Sequence, residues 1–194
     1  MRTETHLKSG QRATTNRAQT SRGRHDVIVL LKQDHAAVKK LFSQYEKLAK
    51  QADMHGKVKI ANQICAELIA HTLAEEEIFY PAARQATHDD DMLNEANVEH
   101  DSARDLIGQI QSMDPQDEMY DAKVKVLGEY IAHHVEEEET EMFPMVRASK
   151  KLNLKEMGEI LRQRKQALMK ELCNSAGEVV PQQLRAKLGL AGQH

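Results

Sequence analysis

The sequence predicts an all-α protein, an up-down-up-down four-helix bundle with an extra C-terminal amphipathic helix. Three observations point there. Glycine (9) and proline (4) are scarce among 194 residues and tryptophan is absent, which disfavours a turn-rich β architecture. From residue 26 onward, apolar side chains recur at helical spacing in four stretches joined by short connections. The second and fourth of these stretches carry one shared motif, so a helix pair is used twice.

Residues 1–24 hold six Lys or Arg against Glu4 and almost no large apolar side chains. They cannot bury enough surface to offset the entropy of ordering, so the segment reads as a disordered basic tail. Residues 25–150 read as the bundle. Asp26 can cap a first helix with the stripe Ile28, Leu31, His35, Val38, Phe42 and Tyr45. Gly56 is read as a break, followed by a second stripe of Ile60, Ile64, Leu68, His71, Glu75 and Ile78. A loop around Thr87–Asp91 leads to Leu93, Asn97, His100, Ile107 and Ile110. Asp114–Pro115 turns the chain into the fourth stripe: Val124, Leu127, Ile131, His134, Glu138, Met142 and Met145. Residues 151–194 read as a fifth helix, about Leu154–Cys173, packed outside the bundle and followed by a frayed tail.

Charge and cysteine usage bound the function. The net charge is −3, and the local +5 of residues 1–24 leaves −8 for the rest. An acidic bundle is a poor surface for nucleic acid or membranes, so neither is expected as a partner. Cys65 and Cys173 read as free thiols of a reducing compartment, and no apolar run approaches a membrane span. Cytoplasmic residence is the expectation.

The stripes contain an anomaly. Each of the four apolar faces is interrupted by a histidine, and two of them by a glutamate one turn later. The second helix reads HTLAEEEIFYP from His71 and the fourth HVEEEETEMFP from His134, each with Glu at i+4 and Pro at i+10. Residues four apart share a helix face, so His71/Glu75 and His134/Glu138 can each present two donors to one point. The first and third helices share Asp34–His35 and Glu99–His100. His133 with Glu137 repeats the spacing, but Leu127 and Ile131 carry the core stripe through His134, which leaves His133 flanking. Between the adjacent carboxylates, the proline alignment favours Glu138, with Glu139 the open alternative.

Four imidazoles and two carboxylates in a bundle core are costly without compensation. A metal ion supplies it, and neutral His with ionised Glu are ordinary ligands. The candidate ligands are His35, His71, Glu75, His100, His134 and Glu138. Without cysteine in the set, the mixed imidazole and carboxylate donors suit iron or manganese, with zinc possible. If both glutamates bridge two octahedral ions, the six side chains fill eight of twelve positions. A bridging oxide or hydroxide takes two more, so an exogenous ligand still finds room. Glu76, Glu77, Glu136, Glu137, Glu139 and Glu141 read as solvated, and Phe79, Tyr80 and Phe143 as packing. The prolines read as terminating or kinking their helices.

The set H…HxxxE…H…HxxxE with its terminal (F/Y)P pairs resembles the hemerythrin-like (HHE cation-binding) family over about residues 26–150. The resemblance implies a non-haem, oxygen-bridged di-iron centre of two iron ions, in proteins that bind or reduce dioxygen, peroxide or nitric oxide, or sense iron or oxygen. Respiratory members carry a further histidine one turn after the third-helix His, where this chain has Arg104. They also place an Asp five residues after the last-helix His, where this chain has Glu139. One imidazole fewer implies a more open centre, suited to peroxide turnover or sensing more than to reversible oxygen carriage.

Two functions follow as expectations. The first is a catalase-like or oxidase-like centre that reacts with dioxygen or hydrogen peroxide in oxidative-stress defence. The second is a non-catalytic module that binds oxygen, nitric oxide or iron and signals through a protein partner.

Overall fold

The computed structural model describes residues 26–190, so the expected basic tail of residues 1–24 and the final residues 191–194 lie outside it. Helix α1 (Val27–Lys50) starts on Asp26, whose carboxylate accepts from the Val29 N–H. Helix α2 (Met54–Ala74) starts on Asp53, and Gly56 lies in its first turn. The expected break at Gly56 is therefore displaced to Gln51–Asp53, where Ala52 takes a left-handed φ of 55°. Gly56 has a different use: a Cβ there would collide with the Asp53 carboxylate that caps the helix.

The chain then runs through a π-helical turn, Glu75–Phe79, directly into α3 (Tyr80–Thr87). After His88 and the cap Asp89 comes α4 (Asp90–Ser112). Helix α5 (Glu118–Glu137), capped by Asp117, passes through a second π-helical turn, Glu138–Met142, into α6 (Phe143–Ser149). Helix α1 packs against α2 and α5, and α4 against α5 and α2, the closed ring of an antiparallel bundle. Neither Pro81 nor Pro144 ends its helix. Each stands in the first turn after a π-helical turn, where the wider backbone leaves room for a ring that would clash in a regular helix.

Helix α7 (Leu154–Leu172) lies outside the ring against α1 and α2, burying Leu161, Leu168 and Leu172. The segment expected to be frayed carries a short helix, α8 (Pro181–Lys187), with Leu184 fully buried. Among the described residues no helix is long and apolar enough to cross a membrane. Met142 is buried, but Met145, expected in the core, is 39% exposed.

Candidate metal centre

All six sequence-derived candidates meet at the bundle axis. His35 comes from α1, His71 from α2, His100 from α4 and His134 from α5, while Glu75 and Glu138 each open a π-helical turn. All six are buried, and the two carboxylates are at most 1% exposed. The histidines form two pairs, His35 with His71 and His100 with His134, with ring centres 5.0 and 4.7 Å apart. Each glutamate reaches one ring of each pair. Glu75 Oε2 is 3.1 Å from His71 Nε2 and 3.5 Å from His100 Nε2. Glu138 Oε2 is 3.3 Å from His35 Nε2 and 3.7 Å from His134 Nε2.

Behind each imidazole stands a second carboxylate on the Nδ1 side. Glu139 serves His35 at 2.9 Å, Glu76 serves His100 at 2.9 Å and Glu99 serves His134 at 2.8 Å. Asp34 faces His71 at 3.5 Å. An Nδ1–H committed to a carboxylate leaves the Nε2 lone pair aimed inward and raises its basicity. Three of these carboxylates are held by cations in turn: Glu139 by Lys32, Glu76 by Arg104, and Asp34 by Lys165 of α7. Glu76 and Glu139 are thus working parts of the site, not the solvated face residues their sequence context implied. Glu138 faces the axis and Glu139 turns to His35, which separates the two adjacent carboxylates by position.

Tyr80 was expected to be packing, and its hydroxyl instead enters the centre. It donates to Glu138 Oε1 at 2.9 Å and lies 3.1 Å from His100 Nε2. Phe143, its counterpart in the repeat, stacks on His35 at 5.8 Å. At about 100° per residue, a side chain nine positions after the histidine sits about 180° away. One residue absorbed by the π-helical turn takes back about 100°, which returns Tyr80 toward the histidine face. The signal in the sequence was the Tyr-for-Phe difference between two otherwise matching motifs.

Several donors have no hydrogen-bond partner despite burial: His35 Nε2, His71 Nδ1, both oxygens of Glu75, and Glu138 Oε2. Buried polar atoms are normally satisfied; His71 Nδ1 faces Asp34 away from the axis, but the other four converge on the axis and imply a guest there. Two groups of donors lie within 4.8 Å of one another, His35/His71/Glu75/Glu138 and Glu75/His100/His134, and Glu75 belongs to both. This donor set fits a metal ion, and the shared carboxylate fits more than one. The charge agrees. Burial opposes a charged His71, but Glu75 and Asp34 push its imidazole up to about 10. Burial likewise opposes a low value at Glu138, yet His134, His35 and His71 hold its carboxyl far below the usual range. Positive charge at the axis is strongly favoured.

The Hemerythrin HHE cation binding domain model matches residues 26–146. The chain belongs to the hemerythrin HHE cation-binding family. Its members bind metal ions, and the buried His/Glu groups here could hold one. A hemerythrin HHE cation binding domain-containing protein from Mycobacterium kansasii shares the fold, with a TM-score of 0.62 over 74% of this chain and 87% of that one at 21% identity. A protein described as a DNA nickase from Nostoc sp. (strain PCC 7120) is 29% identical over 118 residues, which cover 61% of this chain and 32% of that protein. The chain thus matches about a third of that relative's length.

Cys65 lies apart from the centre, and burial pushes its thiol up to about 12, which makes it unreactive.

Proposed function

We propose that this hemerythrin-family protein takes up two iron ions, which His35, His71, Glu75, His100, His134 and Glu138 would hold, and reacts there with dioxygen or hydrogen peroxide. The observation that carries the reading is a small cavity against the centre, bounded by His35, His71, His134, Val38, Leu68 and Ile131. It has room for about one water-sized molecule, roughly 10 Å³. That is the scale of a diatomic or a peroxide.

A bound iron pair supplies two-electron exchange with such a ligand. The chain supplies the rest. Glu75 and Glu138 hold the two histidine pairs at a common spacing. Val38, Leu68 and Ile131 give the cavity an apolar wall. The Tyr80 hydroxyl, already bonded to Glu138, can hold or pass a proton beside the ligand site. Disproportionation fits this equipment, two hydrogen peroxide molecules giving two waters and one dioxygen with no outside reductant.

The test is oxygen release from hydrogen peroxide by the iron-loaded protein, against free iron and against the double change His71→Ala, His134→Ala. Turnover above free iron that the double variant loses supports the reading. A loaded protein no better than free iron would leave the alternative, a non-catalytic module for oxygen, nitric oxide or iron that acts through a partner. A supercoiled plasmid in the same assay addresses the nickase relative, and the acidic bundle is expected to leave it intact.

A further inference from the structure

We propose that Glu99, His133 and Glu137 form a second, solvent-facing site for one divalent metal ion, tied to the buried centre through Glu99. His133 Nε2 lies 3.3 Å from Glu137 Oε1 and 3.9 Å from Glu99 Oε1. Donors around a four-coordinate ion with bonds of about 2.1 Å sit about 3.4 Å apart. The cluster therefore has close to the spacing of three of the four positions, with water completing the shell.

The internal repeat gives an independent reason. Four carboxylates back the four axial histidines, and three of them are matched by Lys165, Lys32 or Arg104. Glu99 is the exception: among the described residues it pairs with no Lys or Arg, only with His133 and His134. Its counterpart in the repeat is Asp34. There α7 packs on α2 and Lys165 supplies the cation, and Ala70 and Ala74 of α2 are both fully buried. The repeat places His133 and Glu137 at the positions of Ala70 and Ala74. Where one half of the molecule uses a lysine from an added helix, the other half presents two more metal donors to solvent.

The geometry has a consequence for the centre. Glu99 Oε2 holds His134 Nδ1 at 2.8 Å, so an ion on Oε1 would draw charge from the carboxylate that orients a buried imidazole. The site stands whatever ions fill the axis.

Mn²⁺ alone is the probe, titrated into the full chain while the free-ion electron paramagnetic resonance signal and water-proton relaxation are followed. The expected result is one ion per chain that enhances water relaxation, as only a solvent-facing ion does. His133→Ala and Glu137→Gln should each weaken it roughly tenfold or more. Both positions are solvent-accessible, and circular dichroism checks that the variants fold. Unchanged affinity in both variants would overturn the proposal, as would absence of the enhancing ion. Binding lost only in His71→Ala would place Mn²⁺ at the axis and equally overturn it, while leaving the buried centre standing.

Discussion

His100 Nε2 and His134 Nε2 face each other across 3.1 Å while the Nδ1 of each ring is held by its own carboxylate, Glu76 and Glu99. Two neutral imidazoles so arranged would point lone pairs at each other. A cation between them resolves the conflict. In the metal-free protein a proton is favoured at His134: burial works against its charged form, but Glu138, Glu99 and Glu75 raise its pKa.

Metal binding should therefore release protons. In the metal-free protein His71 is pushed from the ordinary 6.5 up to about 10, so it is charged at neutral pH. Its pairing with Glu75 and Asp34 stabilises the metal-free fold fully below about pH 6.5 and is lost as pH rises through about 10. A metal must displace that proton, so its affinity should climb as pH rises toward about 10. Calorimetric titration in buffers of different ionisation enthalpy counts the protons. A count of zero at pH 7 would contradict the charged imidazole.

Glu139→Gln should leave the bundle folded and weaken metal binding by about 10- to 100-fold, because His35 loses the carboxylate that orients it. Competition against a graded series of chelators measures this. Unchanged affinity would return Glu139 to the role of a solvated surface residue.

The centre was legible where regular helical periodicity holds. His35, His71, Glu75, His100, His134 and Glu138 all follow from apolar stripes and i, i+4 spacing, and the structure brings them together. Legibility failed just past Glu75 and Glu138, where the π-helical turns shift the register and return Tyr80 and Phe143 to the axis. It failed again at Glu76 and Glu139, because a carboxylate beside a helix face looks the same in sequence whether it meets water or an imidazole from another helix. Arg104 was visible only as a departure from the family; its pairing with Glu76 needed the fold.

Tyr80→Phe removes the hydroxyl that donates to Glu138 and lies beside His100. Iron content should stay near that of the parent, whereas the visible spectrum should shift and peroxide turnover fall by about 10-fold or more. Metal content and absorption are read on the same sample. An unaltered spectrum and rate would mean that the hydroxyl has no part in the chemistry.

Helix α7 should belong to the same folding unit as the bundle. Leu168 is fully buried beneath it, so Leu168→Ala should cost about 2–5 kcal/mol in a single denaturant transition. A second, separate transition for the C-terminal helix would contradict this.

The most direct test of the central claim is elemental analysis of protein from iron-supplied cells, read beside its near-ultraviolet and visible spectrum before and after peroxide. The six axial residues predict about two irons per chain and charge-transfer bands that peroxide alters. One zinc, or a folded chain that takes up no metal, would contradict the di-iron centre.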